Sequence, residues 1–167
     1  MTVEHYRLLF KHNAWANDRV TEQIANLGYD RAREPAGLDL GDGSIIQTLV
    51  HLLHVEESWY TRCLGNASSP ELTVEAAGTI ETIRERLAGQ ASAWMGLLEE
   101  VEDPALDELV SNPSRTSDRI FSHPLWTRLS HVLSHSTQHR GELALATSRL
   151  GHSPCEPDFL EYYEFFT

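Results

Sequence analysis

The stretch Leu125-Trp-Thr-Arg-Leu129-Ser-His131-Val132-Leu133-Ser-His135-Ser-Thr-Gln-His139-Arg140-Gly141 decides how this chain reads. Its apolar residues recur three and four apart, the rhythm of a helix with one buried stripe. An α-helix turns about 100° per residue, so a four-residue step drifts only about 40° around the axis. His131, His135 and His139 therefore leave one face, and neighbours in the row are close enough to share a metal ion. Two His at i and i+4 are a familiar way for a helix to present imidazole nitrogens to a divalent cation. Three of the nine His in the chain stand in this row, so the sequence points to metal binding.

Working outward, His123-Pro124 opens this last long helix, Pro being favoured in a first turn, and Leu150-Gly151 ends it. A first helix runs from Val3 to about Leu27 on Tyr6, Phe10, Val20 and Ile24, and Gly28 stops it. Tyr29 to Gly43, with Pro35, Gly37 and Gly41, reads as a loop. Ser44 caps a second helix through Leu49, Leu53 and Trp59 to about Leu64. After the break Gly65–Pro70, a third helix starts at Val74 or Thr79 and reaches Val101. Asp103 to His123 reads as a loop or a small hairpin, and the aromatic tail around Phe159–Phe166 folds back onto the rest. Four long helices with apolar stripes make an all-α helical bundle whose sites are built from facing helices.

The 167 residues fit one domain with a proper core, and the apolar fraction of 41% is ordinary for a globular protein. No apolar run is long enough for a membrane span. The opening Met1-Thr-Val-Glu-His-Tyr-Arg7 lacks the layout of a secretory signal, so a cytoplasmic location is expected. With 13 basic against 25 acidic residues the net charge is −12, which repels phosphate backbones and anionic membranes. Neither nucleic acid nor membrane is an expected partner. Cys63 and Cys155 form no C-x-x-C unit and read as two reduced thiols.

A metal site that keeps an open position needs three protein ligands. His135 and His139 supply two, and the second helix offers His51 and His54 as a third across the bundle. These two lie only about 60° apart on their helix, so spacing does not choose between them. Glu56 and Glu57, one to two turns beyond His51, and Glu142, three residues after His139, are the carboxylates placed to orient a ring or carry a proton. Each is equally a common solvated helix residue. His131 is read as a non-ligand, His54 as a surface or packing residue, and His5, His12, His123 and His152 as structural or exposed. Trp15, Trp59, Trp94 and Trp126 are read as core, and Gly141 as a point of close helix approach. Ser134, Ser136 and Thr137 flank the His row without any sign of an activated nucleophile.

Three motifs together resemble the DinB family of helical-bundle metalloproteins, in the wider group that includes the YfiT-like metal-dependent hydrolases. They are Asn13-Ala-Trp15-Ala-Asn17, His51 with Trp59 eight residues later, and the His131/His135/His139-Arg140-Gly141 run. The resemblance implies a four-helix bundle of up-down-down-up order, often a homodimer. It implies a divalent metal held by His51, His135 and His139, with His51 preferred over His54 for its distance to the Trp. Zn or Ni suits three neutral imidazoles best, with Fe or Mn as further candidates. Some relatives use low-molecular-weight thiols such as mycothiol or bacillithiol for S-transfer or isomerisation. Here Glu142 stands where the family usually has Gln, and His12 where Tyr or Phe is commoner. The expected function is metal-dependent hydrolysis or thiol-dependent S-transfer on a small molecule. The alternative is a non-catalytic stress-response module with a structural or sensory metal.

Overall fold

A computed structural model describes residues 1–35, 43–152 and 157–167. Gly37, Gly41 and Cys155 lie outside the described residues. The structure is mostly helical: α1 (Val3–Leu27), α2 (Tyr29–Ala32), α3 (Ile45–Cys63), α4 (Val74–Ala77), α5 (Ile80–Glu100), a 3-10 turn at Asp103–Asp107, the strands β1 (Leu109–Pro113) and β2 (Ile120–Pro124), α6 (Leu125–Arg149) and α7 (Phe159–Phe166).

Local chemistry sets the helix ends. Thr2 caps α1 by accepting from the His5 amide at 3.3 Å, while His5 Nδ1 accepts from the Thr2 amide at 3.2 Å. His5 thus fills the place in a capping box usually held by Glu or Gln. Gly28 ends α1 at φ 92°, a conformation open to Gly at little cost. Ser44 Oγ accepts from the Gln47 amide to start α3, and Thr79 Oγ1 accepts from the Thr82 amide to start α5. Both expected starts of the third helix are present, because Gly78 at φ 83° separates the single turn α4 from α5. The Tyr29–Gly43 loop begins with one helical turn, α2. Pro124 is the residue that caps α6 rather than one inside its first turn, since it still pairs with Leu109 in the hairpin.

α1 packs on α5 and α6, and α3 packs on the same two helices. Along α1 and α5 the contacts run in opposite senses: Asp18 meets Arg84, Phe10 meets Trp94, and Arg7 reaches the Leu98 carbonyl. Along α1 and α6 they run in the same sense, from Tyr6 with Ser130 to Asn17 with Arg140. α3 opposes α6, His51 lying beside His139 while Arg62 lies beside Arg128.

The buried apolar residues form two groups. One gathers Val20, Ile24, Leu49, Leu53, Ile83 and Leu143, and the other Tyr6, Phe10, Trp94, Leu98, Leu129 and Val132. On α1 the two groups are separated by buried Asn13 and Asn17, and on α6 by buried Ser136, His139 and Arg140. A polar layer therefore crosses the core at mid-height.

Some side chains depart from expectation. Trp94 is fully buried, but Trp126 is 44% exposed and is not core. A Cβ on Gly141 would meet nothing within 4 Å, so this glycine does not mark a close helix approach. The tail does fold back: Tyr162 of α7 is buried against His12 and Trp15, while Leu160, Phe165 and Phe166 stay exposed.

Candidate metal centre

His135 and His139 sit one turn apart on α6, and His51 reaches them from α3. His135 Nε2 lies 3.3 Å from His51 Nε2 and 3.2 Å from His139 Nε2. One potential ligand atom from each of the three rings lies within 4.8 Å of the others. A zinc ion bound at 2.0–2.1 Å with tetrahedral angles separates its nitrogen ligands by about 3.3 Å. The donor set therefore fits a cation of that size. One Nε2 cannot make good hydrogen bonds as donor to two ring nitrogens at once, whereas a shared cation satisfies three lone pairs together.

One of the rings is held for that task. His139 Nδ1 lies 2.7 Å from Glu142 Oε2, which orients the ring and leaves Nε2 turned to the cluster. Burial alone would raise the Glu142 carboxyl, but hydrogen bonds from Gln138 and His139 outweigh it and hold the group below its usual range. Burial, reinforced by the neighbouring His139, His51 and His131 rings, pushes His135 down to about 4. A neutral imidazole keeps its lone pair at neutral pH, as a ligand must.

Beside the His cluster lies the polar layer. Glu56 is 2% exposed, and its Oε1 accepts from Asn13 Nδ2 at 2.8 Å, Asn17 Nδ2 at 2.7 Å and Ser136 Oγ at 3.0 Å. Arg140 NH1 donates to the Oδ1 atoms of the same two asparagines, at 2.5 and 2.8 Å. Each Asn thus bridges a buried carboxylate and a buried guanidinium, a task that needs a side chain both donor and acceptor. Burial lowers Arg140 to about 10, while Glu56 works against the shift. This network ties α1, α3 and α6 together within one turn of His139.

The sequence-read residues fall into place unevenly. His51, His135 and His139 converge. His131 does not join them; it is exposed and lies tilted against Trp59 with ring centres 4.5 Å apart. His54 lines a cavity of about 420 Å³ together with His51, Arg33, Gln47 and Glu71, and its Nδ1 is buried without a partner among the described residues. Glu57 pairs with Arg86 at 2.8 Å, away from the rings. Cys63 is buried, and desolvation raises its thiol to about 12, which makes it inert.

The roles of Asn13, Asn17 and Ser136 were not apparent from sequence reasoning. Their signal was present as polar pairs at i and i+4, Asn13/Asn17 and Ser136/Arg140, each set in line with an apolar stripe. No curated protein matches the chain. The model of the DinB family matches residues 1–165. With that match covering nearly the whole length, the chain belongs to the DinB family.

Proposed function

We propose that this protein is a metal-dependent enzyme acting on a small molecule, with one divalent ion held by the Nε2 atoms of His51, His135 and His139. The observation that carries the reading is the number of converging ligands: three imidazoles, with neither His131 nor His54 in the group. Three-ligand sites keep a position for substrate, whereas structural sites are closed by a fourth protein ligand. When bound, the ion would supply a Lewis acid able to lower the pKa of water or a thiol. Zinc or nickel suits this donor set best, with iron or manganese as alternatives.

The chain's own residues have distinct tasks in this reading. Glu142 fixes the tautomer and angle of His139. Glu56, a candidate proton carrier from its position in the sequence, also holds α1, α3 and α6 in register, its Oε1 accepting from three donors. The cavity beside His51 has the size of a small-molecule site. The reaction is hydrolysis or S-transfer from a low-molecular-weight thiol.

The contact senses support an up-down-down-up four-helix bundle in one domain over residues 1–167. The exposed Leu160, Tyr163, Phe165 and Phe166 support a homodimer. No helix among the described residues is long and apolar enough to cross a membrane. We read the protein as cytoplasmic and without affinity for nucleic acid.

The test is turnover by metal-loaded protein against ester, amide and electrophile panels, the last with bacterial low-molecular-weight thiols. Turnover abolished by chelation and restored by metal supports an enzyme. Stoichiometric metal without turnover on any panel would instead establish the structural or sensory alternative.

A further inference from the structure

A second cavity, of about 500 Å³, lies between the C-terminal end of α3 and the β1–β2 hairpin. Its wall carries Arg62, Arg115 and His123, with the hydroxyls of Ser68, Ser114 and Thr116 between them. No carboxylate among the described residues lines it, although the chain has 25 acids against 13 basic residues. In so acidic a protein, a pocket with cations and no anion is a marked local reversal of charge.

Among the described residues, the arginines around it lack acidic partners. The Arg62 guanidinium lies 4.5 Å from the centre of the Trp59 ring, and neither Arg62 nor Arg115 forms a salt bridge among the described residues. Behind the wall, Arg128 is 1% exposed and, among the described residues, donates only to the main-chain carbonyls of Arg62, Val110 and Phe121. Those carbonyls take up its NH1 and NH2 groups without cancelling its charge, and its buried Nε has no partner among the described residues. Burial first, and then the Arg128 charge, lowers the pKa of Arg62. Trp59 and Phe121 line the same pocket, with Arg62 lying over the first ring and Arg119 over the second.

We infer that this cavity binds a small molecule bearing a carboxylate or phosphate group, its oxyanion held by Arg62 and Arg115 and its apolar part resting on Trp59 and Phe121. Guanidinium groups match oxyanions with paired, charge-assisted hydrogen bonds. The volume admits more than a lone anion and suits a small organic ligand. The site is separate from the His cluster, so the inference does not rest on the metal reading.

Titration of full-length ¹⁵N-labelled protein with phenyl phosphate and with benzoate, followed at the arginine Nε–H signals, tests it. The same titration is run on Arg62→Gln, Arg115→Gln and, as a control of equal charge change, Arg149→Gln. Arg115 and Arg149 are exposed, so neither of their variants endangers folding. We expect saturable shifts with one probe or both, the responding probe naming the headgroup. Affinity should fall about tenfold or more in the Arg62 and Arg115 variants and by less than about twofold in Arg149→Gln. No saturation by either probe up to about 20 mM would overturn the inference, as would equal weakening in all three variants.

Discussion

Replacing Glu56 with Ala attacks the polar layer at its centre. The truncation leaves Asn13 Nδ2, Asn17 Nδ2 and Ser136 Oγ without their acceptor, and leaves Arg140 buried without the negative charge that faces it. Stranding one member of a buried charge pair costs about 3–5 kcal/mol. Each orphaned buried donor costs about 1–3 kcal/mol on its own, but these costs overlap because the two asparagines also mediate the charge pair. We therefore expect a loss of about 3–5 kcal/mol in all. For a chain of this length 1 kcal/mol moves Tm by about 2–4 °C, so Tm should drop by about 6–20 °C. Urea unfolding followed by circular dichroism measures the loss directly. Adding Arg140→Met should then cost less than its effect in the wild type, with a coupling of at least about 1 kcal/mol, since the cation no longer needs a partner. A Glu56→Ala loss below about 1 kcal/mol, or strict additivity in the double variant, would refute the view that this layer is one electrostatic unit.

Glu142→Ala should leave the fold intact and weaken metal binding about 10- to 100-fold, because His139 loses the group that orients its ring; competition with a chromophoric chelator reads this, and unchanged affinity would contradict it. Stability of the chelated protein should peak between about pH 6.5 and 9, the ordinary values for imidazole and thiol. On the acid side, His135 is about 4 in the folded state, so the native protein binds fewer protons than the unfolded chain and stability falls as pH drops from 6.5 toward 4. On the alkaline side, Cys63 is about 12 when folded, so stability falls as pH rises above 9 and the unfolded thiol ionises. Urea midpoints across that range check both limbs, and a midpoint that rises on acidification below pH 6.5 would contradict the first.

Much of this arrangement was legible because it is local. The Val3–Leu27 helix, the Ser44 cap and the pairing of His135 with His139 depend on spacings of three and four residues, and they stand where periodicity put them. What could not be read depends on facing elements. From sequence, Asn13 and Asn17 stand only as part of a motif and Glu56 looks equally like a solvated helix residue; all three are buried because α1, α3 and α6 meet at that height. Trp126 looks like core but sits on the outward side of α6, next to the buried Leu125. His51 and His54 are neighbours on one helix, and spacing alone leaves the choice open; the approach of α6 brings His51, the residue the family resemblance favours, into the cluster. The asparagine pair in particular shows that a polar i, i+4 step within an apolar stripe can mark a buried network.

The central claim is that imidazoles from α3 and α6 hold one cation between them. Elemental analysis of untagged protein tests it most directly, comparing the wild type with His51→Ala, His135→Ala and His139→Ala after circular dichroism has shown each to be folded. The expected result is about one equivalent of divalent metal in the wild type and less than about a tenth in every variant. Equal metal content in the wild type and the three variants would contradict the claim.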